Sequence, residues 1–482
     1  MSDHELNKEL LAESLPENPV DTLIVGGGIT GLSVAYGLHK QGRTTVITEA
    51  SHRVGGAITS MSNDEGFLWE EGPNSFMPSP ELLEVATEVG LGSQLLLADA
   101  KLPRFVYWNR QLQAIPMSPP SAISTRLLSW RGKIRLALGA MGFARPAMAG
   151  EESVAQFFRR QLGSEALERL VSPFVSGVYA GDPSQLSAQS AFGRIVNLEK
   201  NYGGLLAGAI LFRKQTKKTS APAKNPNLAK VKPGQLGSFP KGIQMLPEAI
   251  AHKLQESGHQ IHLKWELLQI KPLTGGGYAT TFNTTDGEKT LYSRNLVLTT
   301  PAYVTAKLLE NLAPQASQAL SEIPYPPVAC VVLAYPKNHF KVALNGFGNL
   351  IPRGQGVRTL GTIWASTLFP NRAPEGWNLL LNFIGGTTDS AIGAMSESEI
   401  VAAVDQDLRQ TLLKSDAPKP KVVALHLWQK AIPQYSLGHS QRLTTVAADL
   451  SRYQGLKVCG NFIGGVALGD CIKNGLAVSE SL

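Results

Sequence analysis

Three glycines and one acid carry the first chemical signal in these 482 residues. Gly26, Gly28 and Gly31 form G-x-G-x-x-G directly after the strand-like run Thr22–Val25. In such a turn the first glycine permits the bend, the second lets backbone approach a pyrophosphate, and the third lets the next helix pack closely. Gly27, Ile29 and Thr30 fill the intervening positions, where a helix N-terminus offers free N–H groups to phosphate oxygens. Glu49, followed by Ala50, closes the next apolar run at the distance where a carboxylate accepts hydrogen bonds from ribose hydroxyls. An acid there disfavours a 2′-phosphate, and so NADP. A lone glycine motif is weak, but strand, glycines, helix, strand and acid together make a β-α-β dinucleotide unit.

Two segments decide which dinucleotide is meant. Arg53 and the pair Gly55-Gly56 lie close behind Glu49. The glycines let the chain pass near a cofactor, and Arg53 can reach anionic or carbonyl oxygens. At the far end, Leu456–Cys459 is strand-like, Gly460-Asn461 begins a turn, and Gly464-Gly465 opens a helix predicted from Val466 through Ala467 and Leu468. The Glu–Arg–Gly-Gly arrangement resembles the flavin-dependent amine oxidase superfamily. Its members often carry a further Arg where Ala57 stands here. In that superfamily the last helix turns its positive end towards the flavin pyrimidine, which stabilises charge on the reduced ring.

The elements that must position these residues divide the chain. The expected fold is α/β (α+β), with a Rossmann-like FAD-binding domain, a β-sheet substrate domain and an inserted helical domain. The boundaries read as an N-terminal extension (1–19), a first FAD-binding part (20–95), a helical insertion (96–211), a basic flexible loop (212–237), a second FAD-binding part (238–303), the substrate domain (304–434) and a third FAD-binding part (435–482). Within these, a helix is expected over 239–255 and a strand over 260–270. A hairpin is expected over 278–292, a separate strand over 295–300, a helix over 397–413 and a strand over 422–428.

Composition narrows the class. Hydrophobic residues make up 43% of the chain, and no apolar run approaches the roughly 20 residues of a spanning helix. The three cysteines, Cys330, Cys459 and Cys471, have no metal spacing, and no set of histidines makes a ligand group. His259 and His262 read as surface residues. The first twenty residues are acidic and lack the features of a secretory signal or transit peptide.

The net charge of +7 is concentrated in Arg213–Lys232, which has seven basic residues and no acid. It reads as an exposed loop; without aromatic platforms it excludes a nucleic-acid site. A second stretch, "STRLLSWRGKIRLALGAMGFARPAM", alternates basic and apolar residues around Trp130, Ile134, Leu138 and Met141. It suits either a helix lying in a membrane interface or a helix packed in a subdomain with its cations in water. Oligomeric state is not written in the sequence; a homodimer is compatible with it.

Longer blocks carry a closer resemblance. "LPRFVYWNRQLQAIP", "SPFVSGVYAGDPSQLSAQSAFGRI", "GSFPKGIQMLPEAI", "YPPVACVVLAYP", "LGTIWASTLFPNRAP", "AIPQYSLGH" and "GNFIGGVALGDC" together resemble the protoporphyrinogen IX oxidase family, in its plastid and cyanobacterial branch. The resemblance runs from Val20 to Val478. It implies oxidation of protoporphyrinogen IX to protoporphyrin IX by non-covalently held FAD, in three two-electron steps. Oxygen is the acceptor and hydrogen peroxide the by-product. It also implies that the 96–211 insertion binds a membrane peripherally; a cytoplasmic location is the alternative, or a plastid one in a plant or alga. Arg104 corresponds to an arginine that pairs with a substrate propionate, a task suited to a planar guanidinium. Gly177 matches a glycine whose missing side chain leaves room for the macrocycle. Leu333, Leu350 and Trp364 fall where the family lines and sandwiches the rings, although Phe or Tyr is usual at the last position. Gly72, Pro73, Asn74, Ser75 and Leu267 are further implied cofactor contacts. No catalytic side chain is implied, because the cofactor carries the hydride chemistry. The rival readings are coproporphyrinogen III oxidation on the same fold, an amine oxidase or desaturase, and a non-catalytic flavin-binding protein.

Overall fold

The computed structural model describes residues 14–144, 146, 150–205, 208 and 228–482. The acidic N-terminus up to residue 13 and the basic loop over 209–227 lie outside them.

The expected α/β (α+β) architecture is present, built on two seven-stranded sheets. In the first, Val20–Val25 lies between Gly287–Leu298 and Thr45–Glu49 as parallel neighbours. Gln260–Leu263 extends one side, while Tyr278–Thr284 and Glu266–Pro272 extend the other. Leu456–Val458, from near the C-terminus, pairs in parallel with the end of the long Gly287–Leu298 strand. Side chains alternate across this sheet. Ile24 and Ile47 face the buried helix Ile29–Lys40, while Leu23, Val25 and Val46 face helices Ala302–Leu309 and Pro314–Ser321. Helix Ile29–Lys40 is buried almost all round because the last helix, Leu468–Glu480, covers its outer side. Small residues set that approach. A Cβ on Gly475 would sit 2.7 Å from the Thr30 carbonyl oxygen, and one on Gly37 would sit 2.0 Å from the Ser479 hydroxyl.

The second sheet runs Lys421–Trp428, Val328–Pro336, Trp377–Gly385, Gly361–Trp364, Gly348–Leu350, Arg104–Trp108, Gln111–Ala114. One face packs on helix Glu397–Thr411. The other meets the hairpin Ser60–Ser62/Leu68–Glu70 through Phe67 and Trp69. A buried ion pair ties that hairpin to the far end of the sheet: Arg372 Nη1 lies 3.4 Å from Glu70 Oε1, with 3% and 1% of the side chains exposed.

Several boundaries differ from expectation. The 96–211 insertion is not helical throughout, because Arg104–Trp108 and Gln111–Ala114 are strands of the second sheet. Residues 302–321 cover the first sheet rather than belonging to the substrate sheet. The run 295–300 is no separate strand; through Leu298 it continues one long strand. The helix expected from 239 begins at Met245, after a turn with Gly242 at φ +94°. The strand over 260–270 breaks at Lys264, whose φ is +60°. The last helix starts at Leu468 rather than Val466, because Gly464 and Gly465 hold φ of +74° and +139°. His259 is buried, not on the surface: its Nδ1 accepts the Thr45 N–H at 3.1 Å, and its ring meets His39 edge-on. Buried imidazoles are seldom legible in sequence, because the contacts that satisfy them are distant along the chain.

In the helical region, helix Trp130–Ala140 turns an apolar stripe outwards. Trp130, Ile134, Leu138 and Met141 are all exposed, Trp130 by 68%. The packed alternative for this helix is therefore reversed: the stripe faces out while Arg135 reaches inwards to the Gln161 carbonyl at 3.0 Å. No described helix is long and apolar enough to cross a membrane.

Candidate cofactor and substrate site

The glycine turn closes against Thr299, just beyond the end of the long strand. The Thr299 hydroxyl lies 3.0 Å from both the Val25 and Gly26 carbonyl oxygens. A Cβ on Gly26 would meet that hydroxyl at 2.7 Å, and one on Gly31 would meet the Gly26 carbonyl at 2.0 Å. Gly28 is different: a Cβ there meets nothing within 4 Å. Its glycine therefore serves open space, as the approach of a pyrophosphate requires. Ile29 and Thr30 start the buried helix beside it.

Glu49 is fixed at the end of its strand. Its Oε2 accepts the Gly27 N–H at 2.7 Å and its Oε1 the Ser51 N–H at 2.9 Å. A carboxylate has about four lone-pair sites, so acceptor capacity remains for a diol beside exposed Ala50. Leu267 sits nearby, nearly buried with Val25 and Val46. Its neighbour Trp265 donates its N–H to the Glu49 carbonyl.

Arg53 spends its guanidinium on the chain itself. It donates to the carbonyls of Val54, Ile58 and Gly56 at 2.9–3.0 Å, and to the Thr59 hydroxyl. This braces the turn through Gly55, whose N–H bonds the Gly27 carbonyl at 2.9 Å. Gly56 and Ala57 stay exposed beyond it. Gly72 packs against Ala57, where a Cβ would lie 2.0 Å from the Ala57 carbonyl oxygen. After exposed Pro73, Asn74 is buried with its Nδ2 unpartnered, next to half-buried Ser75. An orphaned buried amide donor calls for an acceptor. With the open space at Gly28, it makes these residues a good fit for an extended dinucleotide.

The C-terminal turn comes to the same place. Gly460 and Asn461 lead into Gly464 and Gly465, and a Cβ on Gly460 would meet the Phe462 ring at 2.7 Å. Val466 packs against the buried cluster of the helical region, which includes Phe158, Val175 and Tyr179. Ala467 caps the last helix and Leu468 is buried in the first core. Burial pushes the Cys471 thiol up to about 12 and that of Cys459 up to about 11. Both are protonated core side chains at neutral pH. Among the described residues no group of acids, histidines and cysteines could hold a metal.

The proposed substrate residues divide into two sets. Register aligns Arg104, Gly348, Ile363, Leu381 and Val332 across the second sheet. Leu350, two residues beyond Gly348, shares the Arg104 face. Gly177 joins them from helix Ser172–Tyr179, where a Cβ would lie 2.3 Å from Leu350 Cδ2. Trp364 and Leu333 lie one residue out of phase and point the other way. Both are buried with Phe340, Leu380 and Val404. Trp364 stacks on Phe105 at 5.3 Å and donates its Nε1–H to Asn349 Oδ1 at 3.2 Å. These two support the sheet rather than line a cleft, a correction that follows from the two-residue period of a strand. Half-buried Ile363 and Phe383, which the sequence reading missed, lie on the Arg104 face instead. The alternation counted from Arg104 and Leu350 could have found them only once the register was known.

Arg104 itself is engaged. Its Nη2 donates to the Gly234 carbonyl at 2.9 Å, and its guanidinium lies 5.4 Å from the Phe347 ring centre. The cavity beside it, lined by Asp99, Leu102, Gly234 and Phe347, holds about 30 Å³, room for little more than water. Residues 235–238 strap over this point through pairing of Gly237–Ser238 with Leu96–Leu97.

Comparison with known proteins extends these observations. The family profile described as flavin containing amine oxidoreductase matches residues 29–482. Protoporphyrinogen oxidase 1, chloroplastic, of Arabidopsis thaliana is 45% identical over 94% of this chain and 86% of its own length. The chloroplastic protoporphyrinogen oxidase of Nicotiana tabacum is 43% identical over 97% and 86%. The coproporphyrinogen III oxidase of Bacillus subtilis (strain 168) is 31% identical over 95% and 97%. Among solved structures, a putative protoporphyrinogen oxidase from Exiguobacterium sp. 255-15 shares the fold, with a TM-score of 0.77, 24% identity, and coverage of 97% of this chain and 99% of that one.

Proposed function

Because this chain belongs to the flavin containing amine oxidoreductase family, and within it to the plastid-type protoporphyrinogen oxidases, we propose that it oxidises protoporphyrinogen IX to protoporphyrin IX at a non-covalently bound FAD. Three two-electron steps pass to oxygen, with hydrogen peroxide as by-product. FAD, when bound, supplies hydride acceptance and reoxidation by oxygen.

The protein's part is placement and exclusion of water. Gly26, Gly28, Gly31, Glu49 and Asn74 would hold the diphosphate and ribose. The turn from Gly460 to Val466 would meet the ring system. The single observation that most supports the substrate assignment is the contact between Gly177 and Leu350 on the Arg104 face, with Val466 packed on the buried cluster to which Val175 and Tyr179 of the Gly177 helix belong. A flat apolar substrate would lie on the Arg104 face beside that contact, against Leu350, Ile363 and Phe383. Its acid arm would replace the Gly234 carbonyl at Arg104, which requires the 235–238 strap to shift. Arg104 is the one cation, and Asp99 the one acid, among the residues lining the adjacent cavity. That balance favours a dicarboxylate over the four-carboxylate coproporphyrinogen.

The outward stripe Trp130, Ile134, Leu138 and Met141, flanked by Arg131 and Lys133, supports peripheral attachment to a lipid surface. The two plant relatives are chloroplastic.

The deciding experiment follows porphyrin fluorescence with protoporphyrinogen IX and coproporphyrinogen III under air. It is repeated on Arg104→Ala. Faster turnover of protoporphyrinogen is expected. Arg104→Ala should raise its KM roughly 10- to 100-fold, as loss of a charged hydrogen bond predicts, while flavin is retained. Formation of porphyrin no faster than the spontaneous rate would end this reading.

A further inference from the structure

Three side chains outside the cofactor and substrate residues converge on the C-terminal turn. The Tyr435 hydroxyl donates to the Asn461 carbonyl at 2.6 Å. His439 Nε2 lies 2.9 Å from the Phe462 carbonyl, so the proton sits on Nε2. Asn474 Nδ2 donates to the Ile463 carbonyl at 2.6 Å. Three successive carbonyls are thus each held by a different side chain. Tyr435 also closes the far end, accepting the Gly465 N–H on the same hydroxyl at 3.0 Å. Its ring is stacked on His439, with centres 4.3 Å apart and planes 13° from parallel. Tyr435 and His439 are 1% and 2% exposed, and the His439 Nδ1 is buried without a partner.

Peptide geometry gives this arrangement a direction. The described chain has no cis peptide, and in a planar trans unit the N–H points away from the C=O. Drawing the carbonyls of Asn461 and Ile463 towards Tyr435 and Asn474 therefore turns the N–H groups of Phe462 and Gly464 the opposite way. Neither N–H makes a hydrogen bond among the described residues. The third unit behaves differently, because the Ile463 N–H closes the turn onto the Gly460 carbonyl. Gly464 must be glycine for this: it holds φ +74°, and a Cβ would stand 2.9 Å from Asn474 Nδ2.

We propose that Tyr435 and Asn474, with His439 fixing the peptide unit between theirs, are positioning residues that aim the Phe462 and Gly464 N–H groups at the flavin, and so set how strongly the protein prefers the reduced ring. This rests on the proposed function, in which the turn meets the cofactor. Fixed N–H dipoles favour negative charge where it develops without reorganising. The three side chains act only through the backbone they hold.

The test measures FAD affinity by fluorescence titration and the two-electron midpoint by dye equilibration, both without substrate. Tyr435→Phe keeps the ring but removes both hydrogen bonds; Asn474→Leu removes one donor. Each should weaken FAD binding about tenfold. A tenfold loss of preference for reduced flavin lowers the midpoint by about 30 mV. His439→Gln, whose amide can reach the same carbonyl, should stay near the parent, whereas His439→Leu should follow the other two. An unchanged midpoint and affinity in FAD-loaded Tyr435→Phe and Asn474→Leu would overturn the proposal. Should Tyr435→Phe fail to fold, half-buried Asn474→Leu decides alone. A parent protein that binds FAD yet oxidises no porphyrinogen would overturn the functional reading while leaving this measurement meaningful.

Discussion

Replacing Glu70 by Gln should stabilise this protein at pH 8, although it breaks an ion pair. The carboxylate is 1% exposed, and its contact with Arg372 is a single 3.4 Å approach rather than a two-pronged one. Its other partners are the Ser60 hydroxyl and the Ile243 N–H at 3.1 Å. Burial outweighs the attraction of Arg372 and pushes the Glu70 carboxyl up to about 7. The same burial lowers the Arg372 guanidinium, so both partners lean towards losing charge. A carboxyl whose pKa is raised on folding contributes stability that is complete below its unfolded value, near 4.5, and is lost as pH climbs through the folded value. Over the roughly two to three units between them, the loss is about 3 kcal/mol. Gln cannot ionise and escapes it. The amide can still accept the Ile243 N–H and donate to Ser60. Urea unfolding of parent and variant at pH 4.5 and pH 8 reads the difference. The two should nearly coincide at pH 4.5, and the variant should be the more stable at pH 8. A variant less stable by about 3–5 kcal/mol at pH 8 would refute the reasoning, since that is the cost of stripping a well-paired buried charge of its partner.

Two further outcomes rest on the geometry. Gly177→Ala places a Cβ 2.3 Å from Leu350 Cδ2. A helix gain of up to about 1 kcal/mol is set against a rotamer change of similar size, so Tm should barely move while the displaced Leu350 raises the porphyrinogen KM several-fold. Unaltered KM would remove these residues from the cleft. His259 is held neutral chiefly by burial, with His39 facing its Nε2 and Thr45 its Nδ1. Its pKa is lowered on folding, so the stability it contributes is present above the unfolded value, near 6.5, and fades as pH falls towards the folded one. His259→Gln should flatten the acid limb of a stability–pH profile; an identical limb in both proteins would count against the assignment.

The dinucleotide turn was legible because its requirements are local. Gly26, Gly28, Gly31 and Glu49 fall within one β-α-β unit, where Gly31 is crowded by the Gly26 carbonyl and Glu49 accepts the Gly27 N–H. The site as a whole was legible in outline through Gly464-Gly465, whose paired glycines advertise an unusual backbone. What stayed hidden depends on register. Leu333 and Trp364 could not be told from Val332 and Ile363 without knowing which face of the sheet Arg104 occupies. That Arg104–Trp108 and Gln111–Ala114 join the second sheet was hidden, because two short strands give too few alternations to say which sheet they enter. The Tyr435, His439 and Asn474 cluster was invisible because its meaning lies in three backbone carbonyls, which carry no sequence signal.

Pairing of Leu456–Val458 with the end of the Gly287–Leu298 strand has a bearing on biosynthesis. The opening β-α-β unit leaves the ribosome early, but its sheet lacks that strand, and its buried helix lacks its outer cover, until the final segment emerges. A growing chain must therefore carry an unfinished flavin cradle with a bare hydrophobic flank for most of translation. Nonsense mutations even a few codons before Leu456 should yield a colourless, aggregation-prone product rather than a weakened enzyme.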